Sequence, residues 1–294
     1  MSAMPANTPL ESVIARSVHG VPGLRGTGLV GHVCAVILLV ALVVAVIGPA
    51  IAPYNPTYLE LSNSFVGPTG DHYLGFTGQG ADLLSQVLYG ARSSIVGPLM
   101  VVVAAMVLGI GVAVISAWRG GVIDAGASVV MDVLFAFPGI LLAILAAAVF
   151  GASLQTASIA LAIAYAPYIA RVLRGAAIKE RAQQYIAALE VQGFSAWVIC
   201  LRHLIPNISG LIVAQATILF GYAMVDLAAI SFIGLGVQPP QPDWGVMVAE
   251  GQSGVLQGYP AVSLAAGICI IIVVVAVNLL GERLNARAQG EERA

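Results

Sequence analysis

Charge is scarce in this 294-residue chain: Asp, Glu, Lys and Arg make up 9% of it, against 59% hydrophobic residues and a mean hydropathy of +0.96. Ordinary soluble domains are about 25% charged, so that class is excluded and the chain belongs in a bilayer. Lysine is scarcer still, with Lys179 standing alone. It follows Gly175-Ala-Ala-Ile and precedes Glu180, which is not the glycine-rich context from which a P-loop lysine reaches the phosphates of ATP. The chain therefore has no P-loop route to ATP hydrolysis, and if it pumps, a partner must provide the energy. Cys34, Cys200 and Cys269 lie in or beside apolar segments with no paired spacing, so they read as small buried hydrophobes rather than disulfides or metal ligands. His19, His32, His72 and His203 are far apart and form no cluster with metal-ligand spacing, so no metal is expected. No Gly-x-Ser-x-Gly elbow occurs, and nothing supports nucleic-acid binding. These absences argue against an enzyme.

What the chain has is long apolar runs. A spanning helix needs roughly 20 mostly apolar residues, and six runs meet that test: Val33 to Ala52, Ser94 to Trp118, Val122 to Phe150, Ser153 to Val172, Ile208 to Val237 and Pro260 to Leu280. The expected class is an all-α integral membrane protein with six transmembrane helices. It divides into an N-terminal segment 1–32, a membrane domain 33–281 and a tail 282–294. The third and fifth runs contain Pro or Gly, so tilt or local breaks are expected in them. Ala50-Ile51-Ala52 also offers a small-residue pattern of the kind cleaved after a signal. Against that reading, 32 residues precede the apolar run and Pro53 follows it directly.

Basic residues set the orientation, because cytoplasmic loops carry the excess of Lys and Arg. With the N-terminus inside, Arg16, Arg25, Arg119, Arg171, Arg174, Lys179, Arg181, Arg202, Arg283, Arg287 and Arg293 are cytoplasmic and only Arg92 lies outside. Both termini are then expected in the cytoplasm of a protein of the cell membrane. The extracytoplasmic loops are 53–93 and 238–259.

Between the fourth and fifth runs lies a mildly polar island, Tyr185 to Asn207, within an inner loop 179–206. Arg181 to Gln192 are good helix formers, Gly193 is suited to reversing the chain, and Phe194 to Ile205 form a second short apolar-rich stretch ending at Pro206. This is either a docking surface for another protein or a connector lying on the bilayer, anchored by Trp197 and Arg202.

The spacing of Ala187-Ala188-Leu189, Gly193 and Ile205-Pro206 resembles the EAA loop of the permease subunits of binding-protein-dependent ABC importers. Ala187 stands where the name-giving Glu is usual, Leu189 replaces the second Ala, His203 the Ile and Ile205 the Leu. The flanks are similar to the second permease of dipeptide, oligopeptide and nickel importers: Ile51-Ala-Pro-Tyr-Asn-Pro56, His72-Tyr-Leu-Gly75, Gly80, Asp82, Ser85, Tyr89-Gly-Ala-Arg92, Gln238-Pro-Pro-Gln-Pro-Asp-Trp-Gly245 and Asn278-Leu-Leu-Gly281. Phe76, Thr77, Ala81 and Gln86 depart from the outer-loop pattern and remove charge from it, while Asn285 and Ala286 depart from the tail pattern.

The resemblance implies the type I ABC importer permease fold. It also implies a homologous second permease, two ATPase subunits or one two-domain ATPase that bind ATP and Mg, an extracytoplasmic substrate-binding protein, and a di- or oligopeptide cargo moved by alternating access. No cofactor is expected in this chain itself. Ala187, Ala188, Glu190, Gly193, Phe194 and Ser195 would enter an ATPase groove with Phe194 as anchor, unless Phe194 packs on its own subunit. Nickel or another small solute is the alternative cargo. A stand-alone secondary transporter is a more distant reading, since no internal repeat is evident.

Two acids interrupt apolar runs, and intramembrane carboxylates are costly and therefore candidates for function. Asp132 reads as structural, helping helix packing or pairing with a base at the inner boundary. Asp226 either faces the translocation path, where it would meet a peptide amino group, or bonds to the second permease. Gln238, Pro239, Pro240, Pro242, Trp244 and Gly245 are expected in a stiff extended loop. That loop either shapes the outer mouth or is pinned by Trp244 at the bilayer interface.

Overall fold

A computed structural model describes residues 28–291, with side chains from Leu29 to Ala286. Arg16, Arg25, His19 and Arg293, and with them most of the expected N-terminal segment and the end of the tail, lie outside the described residues. Those described are helical apart from connecting loops. The helices are α1 (Gly28–Ile51), α2 (Leu83–Arg119), α3 (Gly121–Phe135), α4 (Gly139–Phe150), α5 (Leu154–Arg181), α6 (Gln184–Val191), α7 (Ala196–Ile199), α8 (Ile205–Asn207), α9 (Ser209–Phe232), α10 (Trp244–Leu256) and α11 (Ala261–Glu291). Five of them, α1, α2, α5, α9 and α11, are long and apolar enough to cross a membrane; α3 and α4 together make a sixth, bent by 81° at the break between them.

That break falls in the third apolar run. Pro138 has no N–H to give an α-helical ladder, and a proline pushes the residue before it, Phe137, away from helical angles. The fifth run is unbroken as far as Phe232. Helix α2 starts at Leu83, well before the apolar run at Ser94. Its polar first turns hold because Asp82 caps it, accepting from Ser85 N at 2.8 Å, and because Leu83, Ser85 and Gln86 are buried within the protein. Helix α5 likewise runs on past Val172 to Arg181.

The core is centred on the α2–α5 pair, with α4 on α5 and α9 packed between α2 and α11. One cluster joins Val101, Ala105, Leu161, Ile169, Leu173, Leu219 and Ile230. Small residues let the backbones approach, as is usual between membrane helices. A Cβ at Gly109 would come within 2.6 Å of Ile169 Cγ2 and 3.1 Å of Ala170 N. A second cluster ties α1, α2, α10 and α11 through Ala45, Leu83, Ile95, Met247 and Val262. A third joins Val114, Ala117, Ala177, Cys200, Leu204 and Ile208. It is this last cluster that seats the polar island on the membrane helices.

Candidate functional site

The island folds as helix, turn, helix. At the end of α6, Gly193 has φ +85. Its N–H donates to Glu190 O at 3.0 Å and Phe194 N donates to Leu189 O at 3.2 Å, the paired bonds of a Schellman ending. A Cβ at Gly193 would meet nothing within 4 Å, so the requirement there is conformational freedom, not space. The second half runs through α7 and a π-helical turn, Cys200–Leu204, into α8. Pro206 was expected to end this stretch and open the next helix. It stands in the first turn of α8, and the π turn before it joins the two without a break, because widening the ladder relieves the clash between a proline ring and the carbonyl four residues back.

One face of this unit is anchored and the other is free. Ile186, Ile199, Cys200 and Leu204 are buried. Ala187, Ala188, Glu190, Gly193, Phe194 and Ser195 are all exposed, Phe194 at 46% and Trp197 at 70%. Phe194 therefore does not pack into its own subunit. The anchors are polar as well as apolar. Tyr185 OH donates to Glu180 Oε1, while Asn207 Nδ2 donates to Glu180 Oε1 at 2.8 Å and to Tyr185 OH at 2.7 Å. Burial and the Glu180 carboxylate raise the Tyr185 hydroxyl above the ordinary tyrosine range, so it stays protonated and keeps donating. Arg181 donates to Ala117 O, at 2.7 Å, and to Trp118 O. It thereby satisfies the last carbonyls of α2 and lies 4.9 Å over the Trp118 ring. These anchors were missed in the sequence because Tyr185, Glu180 and Asn207 are ordinary residues until the chain reversal brings them together.

Of the two intramembrane acids, Asp132 pairs with Arg171, Nη2 to Oδ1 at 2.5 Å, with Arg171 also 4.8 Å over the Phe135 ring. Asp124, which drew no attention as sequence, pairs with Arg174 through both carboxylate oxygens. The two pairs hold α3 against α5. Asp226 is half-buried and accepts from Tyr165 OH of α5 at 2.6 Å.

The outer loop departs most from expectation. Gln238 to Gln241 form a tight turn at Pro239 and Pro240 rather than the extended loop expected, closed by Gln241 N donating to Gln238 O at 3.1 Å, and Trp244 and Gly245 open α10. Trp244 is 4% exposed: it is no interfacial anchor, because its indole sits inside the protein and donates from Nε1 to Val87 O at 3.0 Å. The organising residue is Asp243. Its Oδ1 accepts from Gly245 N at 2.9 Å and its Oδ2 from Ser94 Oγ at 2.8 Å, while Trp244 N donates to Ser94 Oγ at 2.9 Å. Burial pushes the Asp243 carboxyl above its ordinary range, and the hydrogen bonds it accepts pull the other way. An Asp just ahead of an apolar helix is a cap signal that its place among prolines concealed. On the facing loop, His72 Nδ1 lies 2.8 Å from Asp82 Oδ1, so His72 braces the residue that caps α2. Its ring stacks on Tyr54 and meets Phe76 at a tilt, with centroids at 4.3 and 4.2 Å.

No group of three or more His, Cys, Asp or Glu among the described residues is placed to hold a metal. What the arrangement presents is an exposed turn seated on buried helices at one end and a braced loop system at the other. Residues 105–290 match the family model of the binding-protein-dependent transport system inner membrane component, which is more than half of the chain. The chain belongs to this family. It is 34% identical over 250 residues to the dipeptide transport system permease protein DppC of Alkalihalophilus pseudofirmus, covering 85% of this chain and 82% of that protein. It is 35% identical over 252 residues to the glutathione transport system permease protein GsiD of Escherichia coli O1:K1 / APEC, covering 85% and 83%. The fold is similar to that of a chain from the MetNI methionine ABC transporter, solved in inward-facing conformations, with TM-score 0.55, 19% identity, and coverage of 69% of this chain and 96% of that one. As a permease of this family the chain is a multi-pass, non-catalytic membrane component of an ABC importer. Such a transporter comprises ATPase subunits, a binding protein and a partner permease in addition to this chain.

Proposed function

We propose that this chain is the second permease of a di- or oligopeptide importer. It pairs with a homologous permease over two ATPase subunits, or one two-domain ATPase, that bind ATP and Mg. It receives cargo from an extracytoplasmic binding protein and moves it by alternating access. The carrying observation for cargo class is the resemblance, over 85% of the chain, to permeases of dipeptide and glutathione transport systems. Both termini and the loop 179–206 lie on the ATP side, a placement supported by the eleven arginines and lysines enumerated above against Arg92 alone.

The exposed residues Ala187, Ala188, Glu190, Gly193, Phe194 and Ser195 dock on an ATPase subunit, and Phe194 anchors the contact. An aromatic left half-exposed beside a rigid turn suits a partner's pocket, and Ile186, Ile199 and Leu204 behind it give it a firm seat. Ala187 cannot offer the acidic contact usual at that position, so the docking depends on shape around Gly193 and Phe194 and on the neighbouring Glu190. The outer segment Gln238, Pro239, Pro240 and Pro242 shapes the extracytoplasmic mouth, held in place by Asp243, Trp244 and Gly245. Asp132 is structural.

Reconstitution of the complex in proteoliposomes tests the cargo. Uptake of labelled dipeptide or oligopeptide, with ATP turnover stimulated by the peptide-loaded binding protein, is the expected result. Uptake of glutathione alone, or of nickel alone, would replace the di- and oligopeptide assignment. Ion-gradient-driven uptake by the lone chain would overturn the reading altogether.

A further inference from the structure

One stripe of α9 differs from the rest of the membrane-embedded surface. Tyr222, Val225, Asp226, Ala229, Phe232 and Ile233 recur at helical spacing, and all are exposed except Asp226, which is half-buried. A carboxylate facing acyl chains is costly, so this stripe meets protein or water rather than lipid. Its polar part is built by two helices. Tyr165 of α5 donates to Asp226 Oδ2, Tyr168 follows on α5 with its side chain partly exposed, and Tyr222 stands one turn before Asp226 on α9.

The second carboxylate oxygen, Oδ1, accepts no hydrogen bond among the described residues. Neither α9 nor α4 contains a basic residue. Farther along α5, Arg171 and Arg174 are held by Asp132 and Asp124, Arg181 by the α2 carbonyls, and Lys179 lies beyond Arg174 towards the inner end. The result is an acid fixed at one oxygen, open at the other, flanked by tyrosines and with no ion pair to a base among the described residues. An ammonium group fits it: it offers three donors for the open oxygen and its surroundings and is attracted to tyrosine faces.

We propose that Asp226, held in position by Tyr165 and neighboured by Tyr222, binds the free amino terminus of the peptide as it passes along the translocation path. The proposal rests on the peptide-import reading above. The full complex in proteoliposomes tests it, with Cys34, Cys200 and Cys269 replaced by serine and Ala229→Cys, exposed on the same stripe, as a reporter beside the site. A water-soluble thiol reagent should label the reporter, and a transported dipeptide delivered by the binding protein should slow the labelling. That protection should vanish with Asp226→Asn, return with Asp226→Glu, and weaken with Tyr165→Phe. A reporter that water-soluble reagent cannot reach would overturn the proposal, as would protection unchanged by Asp226→Asn. Loss of the partner permease from the Asp226→Asn complex would also overturn it, by assigning the acid to the subunit interface. If the complex with native Ala229 and Asp226 takes up no peptide at all, the cargo assignment fails instead, so the two failures are distinguishable.

Discussion

Gly193 offers the sharpest test of the inner-face turn, because the structure separates backbone conformation from space there. With φ at +85 and no atom within 4 Å of a Cβ position, a side chain at 193 meets no obstacle within its own subunit, and the cost of substitution is the left-handed conformation itself. That cost is about 1–2 kcal/mol for an ordinary L-residue and larger for a β-branched one. About 1–2 kcal/mol corresponds to a roughly 5- to 30-fold loss in the population of the correctly formed turn. Asn tolerates the left-handed region, so Gly193→Asn should stay close to the parent, Gly193→Ala should fall, and Gly193→Val should fall furthest. The assay is binding-protein-stimulated ATP turnover and peptide uptake in proteoliposomes, with membrane insertion followed separately. Insertion should be unchanged across the series, since the residue is exposed and buries nothing. Two results refute the reasoning. If Gly193→Val couples like the parent, the turn does not transmit. If Gly193→Asn is as damaging as Gly193→Val, what matters is the space a partner occupies, not the φ angle.

Other expectations concern separate parts of the molecule. Phe194→Ala should change the stability of the lone subunit by no more than about 0.5 kcal/mol, as at an exposed site, while weakening co-purification with the ATPase; unchanged retention of the ATPase would remove Phe194 as the anchor. Asp243→Ala strips a buried helix cap and leaves Ser94 Oγ without its acceptor, costing about 1–3 kcal/mol and lowering the melting temperature in detergent. Asp243→Asn, which keeps an acceptor, should lose less, and equal loss in both variants would mean that the charge rather than the cap stabilises the loop. Gly109→Ala forces a Cβ against Ile169 and the backbone of Ala170. Overpacking of this kind costs about 1–3 kcal/mol, and an unchanged melting temperature would show that α2 and α5 are not so closely apposed.

How much was legible in the sequence varies with the range of the interaction involved. The apolar runs reveal membrane helices because hydrocarbon demands that a span's backbone satisfy itself locally. The Gly193 turn is legible for a similar reason, being built from neighbours in the chain. The polar start of α2 was not, because Leu83 to Ser93 are helical through burial against α1 and α10 and through a cap by Asp82, which is itself braced by His72. Trp244 was misplaced on the same account: a tryptophan beside prolines near a membrane boundary reads as an interfacial anchor, and only its packing beside Val87 and Ser94, some 150 positions away in the chain, shows otherwise. Tyr165 and Asp226 are 61 residues apart, and no periodicity links them.

By itself, then, the sequence determined that this is a membrane protein, which segments are apolar enough to span the membrane, and where the chain must reverse at Gly193. These depend on the free energy of individual residues in water, in lipid or at a particular φ angle, and each can be assessed from a short window. The tertiary structure decided that Phe194 stands free while Ile186 and Leu204 anchor it, that Asp243 rather than Trp244 organises the outer loop, and that Tyr165 holds Asp226. Those depend on which distant surfaces meet, and a meeting between residues tens or hundreds of positions apart is settled by the packing of α2, α5 and α9 against one another.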